Sequence, residues 1–304
     1  MSRIHEALKK AAQERSTQPS AGLESRVAEV TDEILRPITH EPDLAELAGS
    51  PRVIASAIQA VPLRYEELVK RCAHPDWQID PLNSVFQNAK PGHGGSERFR
   101  TLRSRLYQIA RTCKLRRLLV TSSLAAEGKT FVASNLAQSI VQQPEPRVLL
   151  IDADLRASRL HMALGAPSRP GLTDYLRGDA DEYAVIQKGA EENLCLIPGG
   201  SQASNPSELL LSERMRHLLN LLTPVFDWII IDSPPALPVH DASVLADLVD
   251  GVLLVVRAGL TDADIAEKTA AEFQGKNLLG VVLNQVEKGD SYVDNYNNYY
   301  SEGV

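Results

Sequence analysis

The sequence predicts an α/β domain over residues 91–286, a mostly parallel sheet flanked by helices, and three observations predict it. Short apolar runs such as VLLI (148–151), WIII (228–231) and VLLVV (252–256) alternate with segments of helical periodicity. Strands read as unbroken apolar stretches when helices cover both faces of a parallel sheet. A Gly-Lys-Thr turn links the first strand to the next helix, and two later strands end in aspartate.

Along the chain, residues 1–15 place Ile4, Leu8 and Ala11 on one helical face and Glu6, Lys9, Lys10 and Arg15 around the rest, an amphipathic surface or docking helix. From residue 16 to 90, prolines at 19, 37, 42, 51, 62, 75 and 81 interrupt any sustained period. Residues 1–90 are therefore expected to form an N-terminal extension, largely irregular with a few short helices. The break NAKPGHGGS (88–96) precedes the domain. Strands are expected at Arg117–Ser123, Arg147–Asp154, Asn193–Pro198, Trp228–Ser233, Gly251–Arg257 and Leu278–Val286. The last segment, 287–304, holds four of the eight tyrosines, Tyr292, Tyr296, Tyr299 and Tyr300. Interleaved Asn, Asp and Ser cannot bury those rings, so a flexible tail with accessible hydroxyls is expected.

Bulk properties narrow the function. A net charge of −7 argues against nucleic acid as the ligand, because phosphate backbones are held by clustered Lys and Arg. Cys72, Cys113 and Cys195 form no CxxC pair, which fits a reduced, cytoplasmic compartment. No stretch approaches the ~18 apolar residues of a membrane span, and the start lacks the apolar core of a signal peptide. A membrane role is expected only through a partner.

Ser123-Leu-Ala-Ala-Glu-Gly-Lys-Thr130 has the spacing of a Walker A loop with Ser123 in place of its first glycine. Backbone amides ahead of a helix N-terminus cradle anions, Gly128 permits close approach, Lys129 adds positive charge and Thr130 offers a hydroxyl to Mg²⁺. The expected nucleotide contacts are Ala125, Ala126, Glu127, Gly128, Lys129, Thr130 and Phe131. VLLIDAD carries Asp152 and Asp154 to one strand tip and WIIIDSPP carries Asp232 to another. Ligands of open α/β sheets sit beyond the strands' carboxyl ends. A buried aspartate there without a cation is costly, so Mg²⁺ with ATP phosphates, held by Thr130 and one or more of Asp152, Asp154 and Asp232, is expected. The fold expected is that of a P-loop NTPase.

These residues resemble the bacterial tyrosine kinases that accompany polysaccharide co-polymerases in capsule and exopolysaccharide synthesis. The resemblance is carried by AEGKT (126–130), VLLIDADLR (148–156) and IIIDSPP (229–235), with GLTDYLRG (171–178), NPSELL (205–210) and GVVLNQV (280–286) beside them. Two features separate that family from its ParA/MinD-like relatives: an E-x-x-R-x-x-R segment at Glu97, Arg100 and Arg103, used for packing subunits into a ring, and the terminal tyrosine cluster. The resemblance implies ATP-dependent autophosphorylation of the four tail tyrosines between subunits. It makes Lys129 catalytic, Asp152 or Asp154 the base, and Asn284 an adenine contact. It further implies a Wzz-like membrane co-polymerase as activator, a tyrosine phosphatase, and a location peripheral to the inner membrane. Ala126 departs from the family's glycine, and Ala157-Ser158 from its arginine and proline. The alternative is a ParA/MinD-like ATPase switch or an ATP-bound scaffold.

Overall fold

The computed structural model describes residues 63–87, 94–189, 191 and 193–286; the expected helix at 1–15 and the tyrosine-rich tail lie outside them. The strands are β1 (Arg117–Ser122), β2 (Val148–Asp152), β3 (Gln187–Lys188), β4 (Leu194–Ile197), β5 (Trp228–Asp232), β6 (Gly251–Arg257) and β7 (Leu278–Asn284). They form one sheet in the order β3-β4-β2-β5-β1-β6-β7. Every pairing is parallel except β3 with β4. All six expected strands are present, and five stop one or two residues short of the expected carboxyl end. The trimmed residues leave the ladder to build the site. β3 was not expected, because two residues carry no readable period.

Register sets the geometry of the strand tips. Asp152 pairs across to Asp232 and Val120 pairs to Asp232, so β1, β2 and β5 end side by side. One apolar layer packs beneath the sheet from the helices at Leu172–Arg177, Glu213–Leu222 and Asp241–Ala246. The other contains α2 (Gly94–Ala110) and α3 (Lys129–Val141), following the short α1 (Tyr65–Arg71) in the chain.

α3 is buried continuously from Val132 to Ile140, polar residues included. Such a helix needs partners for its buried amides and hydroxyls. Residues 83–85 supply several: Ser84 Oγ donates to Gln138 Oε1 at 2.5 Å, Val85 N to Asn135 Oδ1 at 2.8 Å, and Asn135 Nδ2 to the Asn83 carbonyl at 2.9 Å. Arg103 on α2 donates to the Ser139 carbonyl.

The described part of what the sequence assigns to the extension is thus packed on the domain. Leu68 on α1 is fully buried in the first layer, and Trp77 is buried in the second. Between them Ala73 bridges Gln187, so the segment turns around the β3 edge from one face to the other. Its prolines hid this, since a chain wrapping a sheet edge has neither helical nor strand period. Among the described residues no helix is long and apolar enough to cross a membrane.

Candidate nucleotide site

β1 delivers the chain into the loop 123–128, and Gly128 (φ 92°) starts α3. The positive φ of Gly128 is strained for any L side chain, and a Cβ there would displace the Asn284 side-chain amide. Ala126 also lies in the left-handed region, at φ 64°, where an L side chain is disfavoured by about 1–2 kcal/mol. The first amides of α3 have no partner within the helix and carry its positive dipole end, which suits an anion.

Glu127 is 2% exposed and its side chain faces inward. Oε2 accepts the Leu124 amide at 2.7 Å, and Oε1 accepts the Thr261 hydroxyl from the loop after β6. Asn284 Nδ2, at the tip of β7, donates to the Glu127 carbonyl at 2.9 Å. The loop is clamped from both sides. Ala125 and Ala126 are exposed on its outer surface, and Phe131 packs edge-to-face on Phe99 at 6.0 Å between centroids.

The charged centre brings together Lys129, Thr130, Asp152, Asp154 and Asp232. Lys129 Nζ lies 2.9 Å from Asp154 Oδ2. Burial alone would lower the Lys129 pKa, but Asp232, Asp154 and Asp152 together hold it above its usual value. The other Asp154 oxygen accepts the Ala157 amide at 3.0 Å.

Asp152 is differently employed. Its Oδ2 accepts Ser158 Oγ at 2.8 Å and the Leu160 amide at 2.9 Å, while Oδ1 accepts the Asp154 amide at 3.2 Å. Burial raises its pKa against these bonds. Asp232 is fully buried; Oδ2 accepts the Thr130 hydroxyl at 2.6 Å, and Oδ1 has no hydrogen-bond partner among the described residues. Burial, opposed by Lys129 and reinforced by Asp152, pushes its pKa up to about 7.

An orphaned carboxylate oxygen beside a threonine hydroxyl is the donor set of a hard divalent cation, so the residues present fit Mg²⁺. Among the described residues no three His, Cys, Asp or Glu side chains are placed to hold a metal by themselves. The three aspartates are therefore no ready-made cage. Mg²⁺ suits that arrangement, because it takes phosphate and water oxygens alongside one or two protein ligands.

Of the residues expected to pack subunits into a ring, Glu97 and Arg100 pair with each other on the exposed side of α2, whereas Arg103 is turned onto α3 of its own chain. Sequence reasoning missed Thr261 as the partner of Glu127, Ser158 as a partner of Asp152, and a cluster at the rim. There Arg156 Nε lies 2.7 Å from Asp241 Oδ2, and Ser207 Oγ donates to Asp241 Oδ1 at 2.5 Å. Arg156 and Ser207 stand in DADLR and NPSELL, so the motifs themselves were the available signal.

Residues 118–303 match the model of the CobQ/CobB/MinD/ParA nucleotide binding domain. Tyrosine-protein kinase YwqD of Bacillus subtilis (strain 168) is 34% identical over 203 residues, which is 66% of this chain and 85% of that protein. The chain belongs to the bacterial tyrosine kinase family. Tyrosine-protein kinase etk of Escherichia coli (strain K12) is 36% identical over 208 residues, 68% of this chain, but the match spans 28% of etk's length. The kinase domain of Escherichia coli tyrosine kinase ETK superposes with a TM-score of 0.63 at 34% identity, covering 76% of this chain and 92% of that domain. The chimerical protein CapA2B2 gives 0.65 at 28% identity, over 73% and 98%. This family member accordingly carries a nucleotide-binding P-loop domain, as the sequence predicts.

Proposed function

We propose that the chain is an ATP-dependent protein-tyrosine autokinase that phosphorylates Tyr292, Tyr296, Tyr299 and Tyr300 between neighbouring subunits and so regulates exopolysaccharide or capsule polymerisation and export. The observation that carries the reading is the buried Asp232 carboxylate, whose Oδ1 has no protein partner beside Thr130 and the Lys129–Asp154 pair. The kinases named among its relatives support the phosphoryl-transfer chemistry.

When bound, Mg²⁺ neutralises charge on the nucleotide's phosphates. Thr130 and Asp232 would hold it. The amides of Ala125 to Thr130 and the Lys129 ammonium would bind the phosphates, with Asn284 and Phe131 beside the loop as candidate nucleotide contacts. Moving Lys129 from Asp154 to a phosphate frees the Asp154 carboxylate, which then accepts the proton of an incoming tyrosine hydroxyl, whose pKa is ~10. Asp152, with both oxygens engaged, orients the turn that carries Asp154. Positioning and charge supply most of the rate.

The wider assignment follows the same reading. Residues 1–90 would serve as an extension whose part 63–87 packs on the kinase domain of 91–286, and 287–304 as the substrate tail. Glu97, Arg100 and Arg103 would contribute to a homo-oligomeric ring. A Wzz-like membrane co-polymerase would activate the enzyme, a tyrosine phosphatase would reset it, and the protein would lie in the cytoplasm against the inner membrane through that partner.

The test is intact mass with peptide mapping after incubation with Mg-ATP, alongside Lys129→Met and a variant with all four tail tyrosines changed to Phe. Phosphate on the tail of the parent and on neither variant is expected. ATP hydrolysis with an unmodified tail, even with an activator segment supplied, would overturn the kinase reading in favour of an ATPase switch.

A further inference from the structure

Among the described residues β7 is the edge strand of the sheet, and on it Val281 and Leu283 are 55% and 58% exposed. None of the seven residues Leu278–Asn284 is charged. An open apolar edge of this kind is a hazard that proteins usually cover or charge. Beside it runs a groove of about 520 Å³ between β7, α2 and the start of α3. Phe99, Leu102 and Phe131 give it an apolar wall. Arg105 lines it as well, exposed and seven residues after Arg98 on the same side of α2. The lining ends at Gln285 and Val286, where the described chain itself ends.

The chain that follows has the chemistry to fill this space. Glu287-Lys-Gly-Asp290 contains a Gly-Asp pair suited to reversing direction directly after β7. Beyond it, Tyr292, Asp294 and Tyr296 alternate with Val293 and Asn295 at the period of a strand. Residues 287–304 carry Glu287, Asp290, Asp294 and Glu302 against the single Lys288, a charge opposite to that of Arg105. Strand addition to an open edge supplies backbone hydrogen bonds, while side pockets select the side chains.

We propose that residues 287–304 dock in cis, as an added strand on the outer edge of β7 of their own chain, with tyrosine rings in the α2–β7 groove and acidic side chains toward Arg105. This is a resting place for the tyrosine segment, and its groove shares Phe131 and Asn284 with the candidate nucleotide site. It rests on the groove and on the charge and period of the tail, not on phosphoryl transfer.

The test replaces Leu283 with p-benzoylphenylalanine in the full chain, without nucleotide. The protein is irradiated as a mixture of isotopically light and heavy copies, and the cross-linked peptides are mapped. Cross-links within one copy, from position 283 to residues 287–304, are expected, with their yield lowered several-fold by Arg105→Glu. Cross-links between light and heavy copies would overturn the proposal and make the edge an interface between subunits. Cross-links to other parts of the same chain, or none, would overturn it as well. The same probe at Val281, with circular dichroism of both variants, guards against a substitution that disturbs the fold. Because nucleotide is absent, failure here leaves the kinase reading standing.

Discussion

Asp232→Asn should stabilise the nucleotide-free protein at high pH while weakening its binding of Mg-nucleotide. Asp232 is fully buried, one oxygen has no partner, and its pKa stands at about 7 instead of 3.8. A folded-state pKa raised above the unfolded value means that the folded protein binds the proton more tightly, so stability falls as pH rises from about 4 to about 7. At ~1.36 kcal/mol per unit, the charged carboxylate costs on the order of 4 kcal/mol above pH 7. Asparagine does not titrate. It keeps an acceptor for Thr130 but leaves a buried amide donor to satisfy, at about 1–3 kcal/mol at every pH. The constant cost cancels when two pH values are compared. The stability of the variant relative to the parent should therefore rise by about 2–3 kcal/mol between pH 5 and pH 8, roughly 5–10 °C in Tm for a domain of this size. Urea and thermal unfolding in EDTA at pH 5, 6, 7 and 8 measure it. Parallel pH profiles for parent and variant would refute the reasoning, because Asp232 would then ionise alike in the folded and unfolded states. In the same variant, Mg-nucleotide affinity measured by calorimetry should fall at least ~10-fold, since a charge-assisted ligand has been removed.

Three further outcomes are expected. Leu68→Ala should cost about 2–5 kcal/mol in urea unfolding, because Leu68 is fully buried in the core; a cost below about 1 kcal/mol would mean that α1 is not part of the folded domain. Ala126→Gly should relieve the left-handed backbone and stabilise the protein by up to about 1 kcal/mol, the entropic cost of glycine offsetting part of the gain, with the unfolding midpoint as readout. Thr261→Val removes one donor from the buried Glu127 carboxylate and should destabilise by about 1–3 kcal/mol; it should raise the KM for Mg-ATP more than it lowers kcat, and Thr261→Ser should restore both.

The sequence by itself determined the sheet, the phosphate loop and the three strand-tip aspartates. Apolar runs such as WIII and VLLVV are local signals, and a strand's last residue lies at its carboxyl end whatever the neighbouring strands do. Only the tertiary structure decided what each carboxylate does. Asp152 is saturated by Ser158 and by the Asp154 and Leu160 amides, Asp154 holds Lys129, and of the three Asp232 alone keeps an oxygen without a partner among the described residues. Asp152 and Asp232 both close a four-residue apolar run, so the run itself does not distinguish them. The Glu127–Thr261 clamp and the packing of residues 83–85 on α3 were likewise invisible, because they join positions 134 and about 50 residues apart. Hydrogen bonding between distant segments leaves no period in either one, and it is settled only when sheet order and register bring the partners together.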